Sequence, residues 1–74
     1  MDKSILVVDD DRALLKSLKN TLKSKGYSVD TAETGREAIE KSEAKFFHLA
    51  LLDIVLPDME GTKLLTQMHK TTPR

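Results

Sequence analysis

Residues 49–61 read LALLDIVLPDMEG, an apolar run that stops at Asp53 and then turns through Pro57 and Gly61. A solvated acid needs no such setting. A second stretch, ILVVDDD at residues 5–11, also ends an apolar run in acids, and the two together decide the fold. Ile5 to Val8 is a continuous β-branched and leucine run without the alternation of a half-exposed strand, which suits a parallel strand covered on both faces. Phe47 to Leu52 is expected to form a matching strand.

Between and after these runs the pattern changes period. From Arg12 to Ser24, Leu14, Leu18 and Leu22 recur at four-residue spacing beside Leu15, which predicts an amphipathic helix with those leucines in the core. Asp11 is its expected N-cap, and Gly26 its stop in a left-handed conformation. Tyr27 to Ala32 alternates as a shorter or edge strand would. Thr34-Gly35-Arg36-Glu37 has capping-box spacing and opens a second helix that ends near Lys45. Gly61 to Lys70 reads as a third helix, and Thr72-Pro73-Arg74 ends it because proline cannot continue the hydrogen-bond ladder. The order βαβαβα implies right-handed crossovers and a parallel sheet, hence an α/β fold.

The 74 residues allow one small domain. A chain of that size buries only about 60% of its unfolded surface, so its core is marginal without help. The chain has no cysteine, which excludes disulfides, thiolate metal sites and thiol catalysis. Twelve basic and twelve acidic residues cancel, so no global field draws it to nucleic acid or membrane. Lys16, Lys19, Lys23 and Lys25 lie along the first helix without interleaved aromatics, the pattern of a solvated face. No apolar run is long enough to span a bilayer, and Met1-Asp2-Lys3 does not open a secretory signal. A cytoplasmic protein is the expectation.

Reactive groups in open parallel sheets collect at the carboxyl ends of the strands. Asp9 and Asp10 follow the first strand and Asp53 the third. If the second strand lies outside the first, the first and third are neighbours and these acids converge. Two carboxylates 4 Å apart repel by ~4 kcal/mol at an effective dielectric near 20. Such a cluster takes up protons or binds a cation, and hard oxygen ligands favour magnesium over zinc. A carboxylate beside a metal is also a nucleophile toward phosphorus, and Asp53, alone at its strand end, suits that role better than Asp9 or Asp10.

The blocks ILVVDDD, AETGREAIE and LLDIVLPDMEGTKLL, in this order and spacing, resemble the receiver domain of two-component response regulators. The resemblance covers nearly the whole chain. It implies a CheY-like, flavodoxin-like parallel sheet with strand order 2-1-3, that order being the family's own. By position, Asp53 resembles the phosphoacceptor that takes phosphate from a sensor histidine kinase. Asp10 resembles the direct magnesium ligand, Asp9 the neighbour that acts through water, and the Val55 backbone carbonyl the third protein ligand. Pro57 and Gly61 match residues that shape the loop after the phosphoacceptor.

The family pattern continues through a fourth and a fifth βα unit, which supply a Ser or Thr and a Lys around the phosphoryl group. Residues 1–74 end about where the fourth strand would begin, so the resemblance is to the N-terminal portion, and phosphorylation is expected to be impaired. Lys63 and Lys70 are not positional substitutes.

Blander readings stand beside these. Asp11 is explained as a helix-turn acid alone. His48 and His69 lack a second His or Cys to make a ligand pair and read as structural and exposed, respectively. Phe46, Met59 and Met68 read as gap fillers. Two rival functions remain: a half-domain used for assembly, with a homo-oligomer joined through the exposed third strand, and, more weakly, an aspartate-nucleophile phosphohydrolase suggested by Asp9-x-Asp11. The residues that such a hydrolase needs further along are absent.

Overall fold

The computed structural model describes residues 3–53 and 56–71, with side chains described through Met68. Strand β1 (Ser4–Val8) leads to helix α1 (Arg12–Ser24), β2 (Ser28–Ala32), α2 (Gly35–Ala44), β3 (Leu49–Leu52) and α3 (Gly61–Thr71). The three strands form one parallel sheet in the order β2-β1-β3. The chain is therefore an α/β fold of βαβαβα order, as the residue pattern and the resemblance predict.

β1 is central because it alone can be buried on both faces. Ile5, Leu6, Val7 and Val8 are all buried. Alternate residues serve opposite layers. Leu6 and Val8 join Ala32, Ala38, Phe47, Leu56, Leu64 and Met68 in one core. Ile5 and Val7 join Val29 and Leu15, with Leu18 and Leu22 beside them, in the other. Helix α1 lies over β1 and β2 on one side of the sheet, while α2 and α3 pack against each other on the opposite side.

The predicted caps appear where expected. Asp11 Oδ1 accepts from the Leu14 N–H at 3.1 Å. At the far end of α1, Gly26 takes φ 95°, the Gly26 N–H donates to the Lys23 carbonyl and the Tyr27 N–H to the Leu22 carbonyl. That is a Schellman closure, and only glycine takes its φ without a steric penalty. Thr34 Oγ1 accepts from the Glu37 N–H, but Glu37 reaches back to the Glu33 N–H, one residue earlier than the standard box.

Four expectations require correction. The second strand begins at Ser28 rather than Tyr27, which is exposed. The third begins at Leu49 rather than Phe47, so its edge is shorter than predicted. The cause is His48: its N–H donates to the Ser4 carbonyl, while its Nδ1 accepts from the Ser4 N–H. The imidazole takes the place of a backbone acceptor, and regular pairing starts with Ile5 and Leu49. Leu14 is exposed and Leu15 buried. Phe46 is exposed too, edge-on to His48, while Phe47 enters the core.

Leu64 is wholly buried and its neighbour Leu65 is 49% exposed, so the pair tests the assignment of faces on α3. Leu64→Ala is expected to lower stability by about 2–5 kcal/mol through lost contacts and a residual cavity. Leu65→Ala should change it by no more than about 0.5 kcal/mol. Urea unfolding at fixed chain concentration measures both; equal losses would show that the helix faces are misassigned.

Candidate functional site

The sheet register sets the position of the acids. Val8 pairs with Ala32 on one side and with Leu52 on the other. Each ladder runs one bond further: the Asp9 N–H donates to the Ala32 carbonyl at 3.1 Å, and the Asp53 N–H to the Val8 carbonyl at 2.9 Å. Asp9 and Asp53 are thereby held at the carboxyl end of the sheet, both half-buried, with Asp10 exposed beside them.

One carboxylate oxygen from each of Asp9, Asp10 and Asp53 lies within 4.8 Å of the others. At a separation of 4.8 Å a pair repels by about 3.5 kcal/mol at an effective dielectric near 20, more where the oxygens lie closer and less where water reaches Asp10. The donor set is all hard oxygen, with an exposed side left for water, and it fits a hard divalent cation. Asp11 is not part of the set, because its carboxylate caps α1. Asp9 Oδ1 also accepts from the Asp11 N–H at 2.9 Å, which fixes one of its oxygens. The three predicted acids are thus brought together. Val55, the fourth predicted ligand, lies outside the described residues, as does the side chain of His69.

The loop that precedes α3 holds a residue that sequence reasoning missed. The Leu56 N–H donates to the Met59 carbonyl, and Leu56 is buried. Asp58 then reaches across to α2. Its Oδ1 accepts from the Gly35 N–H at 2.8 Å and its Oδ2 from the Arg36 N–H at 2.9 Å. These are two of the N–H groups that a helix leaves unsatisfied at its start, and Thr34 satisfies a third. The Arg36 backbone N–H, followed by that of Gly35, holds the Asp58 carboxyl below the ordinary carboxylate range. Read alone, Pro57-Asp58 is a turn. The signal lay in the topology, because a parallel α/β order puts the start of α2 and the loop after β3 at the same end of the sheet. Pro57 itself is exposed and Gly61 buried.

No helix among the described residues is long and apolar enough to cross a membrane.

The family model described as the response regulator receiver domain matches residues 5–74. The crystal structure of a CheY-like receiver domain protein from Methanospirillum hungatei superposes with a TM-score of 0.95 at 53% identity, covering 99% of this chain and 58% of that one. A response regulator from Burkholderia pseudomallei, solved with a phosphorylated aspartic acid, calcium ion and citrate, gives a TM-score of 0.91 at 29% identity over 97% of this chain and 42% of that one. The alkaline phosphatase synthesis transcriptional regulatory protein PhoP of Bacillus subtilis is 39% identical over 70 residues, 95% of this chain and 29% of its own length. The chain thus spans about three tenths of that curated relative.

The Asp58 clasp predicts an acid dependence. A carboxyl whose folded pKa is lowered binds fewer protons folded than unfolded. It therefore stabilises the fold above the unfolded pKa, and that contribution is lost as pH falls through the folded value. The stability difference between the parent chain and Asp58→Asn should be full near neutrality and shrink below about pH 5. Thermal melts across that range check it; a difference independent of pH would show that the carboxylate charge has no part in the clasp.

Proposed function

The chain belongs to the response regulator receiver domain family, and from that premise we propose that Asp53 is its phosphoacceptor. A receiver domain is a regulatory phosphoacceptor rather than a turnover enzyme, and receivers generally work with a histidine kinase and bind a divalent metal at an acidic pocket. The observation that carries the reading here is the convergence of Asp9, Asp10 and Asp53 within 4.8 Å at the ends of adjacent parallel strands. On this reading residues 1–74 act as one N-terminal receiver portion in the cytoplasm.

A carboxylate oxygen of Asp53 forms a bond to phosphorus as the phosphorus–nitrogen bond of the kinase phosphohistidine breaks, and the imidazole leaves with the bonding pair. Asp10 and Asp53 would hold magnesium directly, Asp9 through water, and Val55 through its carbonyl. When bound, the cation offsets charge on the transferred group. Asp9, pinned by the Asp11 N–H, and Asp53, pinned at Val8, keep their places without rearrangement.

Intact-mass measurement with magnesium and a small phosphodonor tests the assignment. One phosphate should appear on the parent and none on Asp53→Asn, and calorimetric magnesium binding should be lost in Asp10→Ala. The 74-residue polypeptide by itself supplies neither the Ser/Thr nor the Lys of the family pattern, so labelling should be slower than in a full-length receiver by about 100-fold or more. Labelling of Asp53→Asn, or equal magnesium affinity in Asp10→Ala, would overturn the assignment.

A second reading, assembly, is favoured by the β3 edge. Among the described residues β3 pairs only with β1, and Leu49 and Leu51 are 51% and 38% exposed. An open apolar edge is a template for another strand, and two-fold pairing would close the assembly. Analytical ultracentrifugation at micromolar concentration should find the 74-residue chain as a dimer or larger. A compact monomer with a cooperative melt would rule this out.

A further inference from the structure

Asp58 contributes no oxygen to the three-carboxylate cluster, yet it closes a ring around it. The Asp53 N–H bonds the Val8 carbonyl, Asp9 follows Val8 in the chain, and the Asp9 N–H bonds the Ala32 carbonyl. Three residues beyond Ala32 the chain reaches Gly35, whose N–H, with that of Arg36, bonds Asp58. Asp58 lies five residues from Asp53, and the ring is complete. Two of its three hydrogen-bonded links are extensions of strand ladders; the third is a single side chain.

We propose that Asp58 is a positioning residue for the Asp53 site, clasping the loop after β3 to the start of α2 and so fixing Asp53 relative to Asp9 and Asp10. The inference rests on the cation reading above and extends it to α2. Met59 provides a second contact on the same line. A Cβ placed on Gly35 would stand 2.4 Å from Met59 Cγ and 2.6 Å from its Sδ, so the Met59 side chain packs directly on Gly35 and would have to shift to admit one. Asp58 needs no cation to be satisfied, because both of its oxygens are engaged on α2. Its connection to the site is mechanical. By linkage, whatever cation affinity the clasp supplies must return as stabilisation of the clasp when the cation binds.

The test uses the whole 74-residue chain with magnesium as the probe, in the parent, Asp58→Ala, Gly35→Ala and Val29→Ala. Val29 is buried under α1 at the far end of the sheet and serves as a destabilised control. Magnesium affinity is expected to fall by about fivefold or more in Asp58→Ala. It should also fall in Gly35→Ala, where the new methyl displaces Met59 while the helix itself gains propensity. Val29→Ala should bind within about twofold of the parent, as sites without shared partners do. Amide exchange at Gly35 and Arg36 should slow in the parent on saturation with magnesium.

Parent-like affinity in both Asp58→Ala and Gly35→Ala would overturn the positioning role alone, as would an equal loss in Val29→Ala. A parent that binds no magnesium would overturn the cation reading and this inference together. If Asp58→Ala does not fold, Gly35→Ala carries the same comparison.

Discussion

The pairing of Val8 with Ala32 on one side and Leu52 on the other is the constraint on which the rest depends. A central parallel strand has no solvent face, so each of its side chains is committed to a layer, and a shift of one residue would send Leu6 and Val8 to the wrong helix. The same register aligns the first residues beyond the strands, Asp9 and Asp53. The repulsion this imposes, about 3.5 kcal/mol for a carboxylate pair 4.8 Å apart at an effective dielectric near 20, acts against the burial that orders the strands. Leu6, Val7 and Val8 are wholly or nearly wholly buried, and this burial is what fixes the strand ends, and with them the acids, in register.

Much of this was legible in the residues because it is local or periodic. The unbroken run Ile5–Val8 announces burial on both faces, Asp11 and Gly26 mark the ends of α1, and the acids announce themselves by ending apolar runs. What failed was phase. Spacing of four drifts around a helix of 3.6 residues per turn, so Leu14, Leu18 and Leu22 do not share a face as well as Leu15, Leu18 and Leu22 do. The sheet selects the second set. At residues 46–48 two adjacent aromatic side chains compete for one buried position, and pattern alone does not choose between them. Phe47 takes the core while Phe46 packs on the His48 ring.

Asp58 was illegible for a different reason. Its neighbours in the chain do not report the clasp, because both of its partners lie more than twenty positions earlier. Its role exists only once the crossover has returned the start of α2 to the carboxyl end of the sheet. The acids of the cluster could be inferred from strand order alone, whereas a clasp between a loop and a helix also requires knowing where the two approach.

The strand that leads to Asp53 pairs on one edge only among the described residues. Helix α1 covers β1 and β2, and beyond it two depressions run beside β3, one lined by Leu22, Tyr27, His48 and Leu49, the other by Leu18, Leu51, Asp9 and Asp53. A surface laid along Leu49 and Leu51 would therefore reach the acids themselves. Excluding water there lowers the local dielectric, which strengthens the mutual repulsion of the carboxylates and their attraction for a cation alike. Were chains to pair on β3 and a cation to bind at Asp53, the two would be one electrostatic problem: an edge contact covering the acids without a cation would raise their repulsion, and one made with a cation in place would deepen its hold.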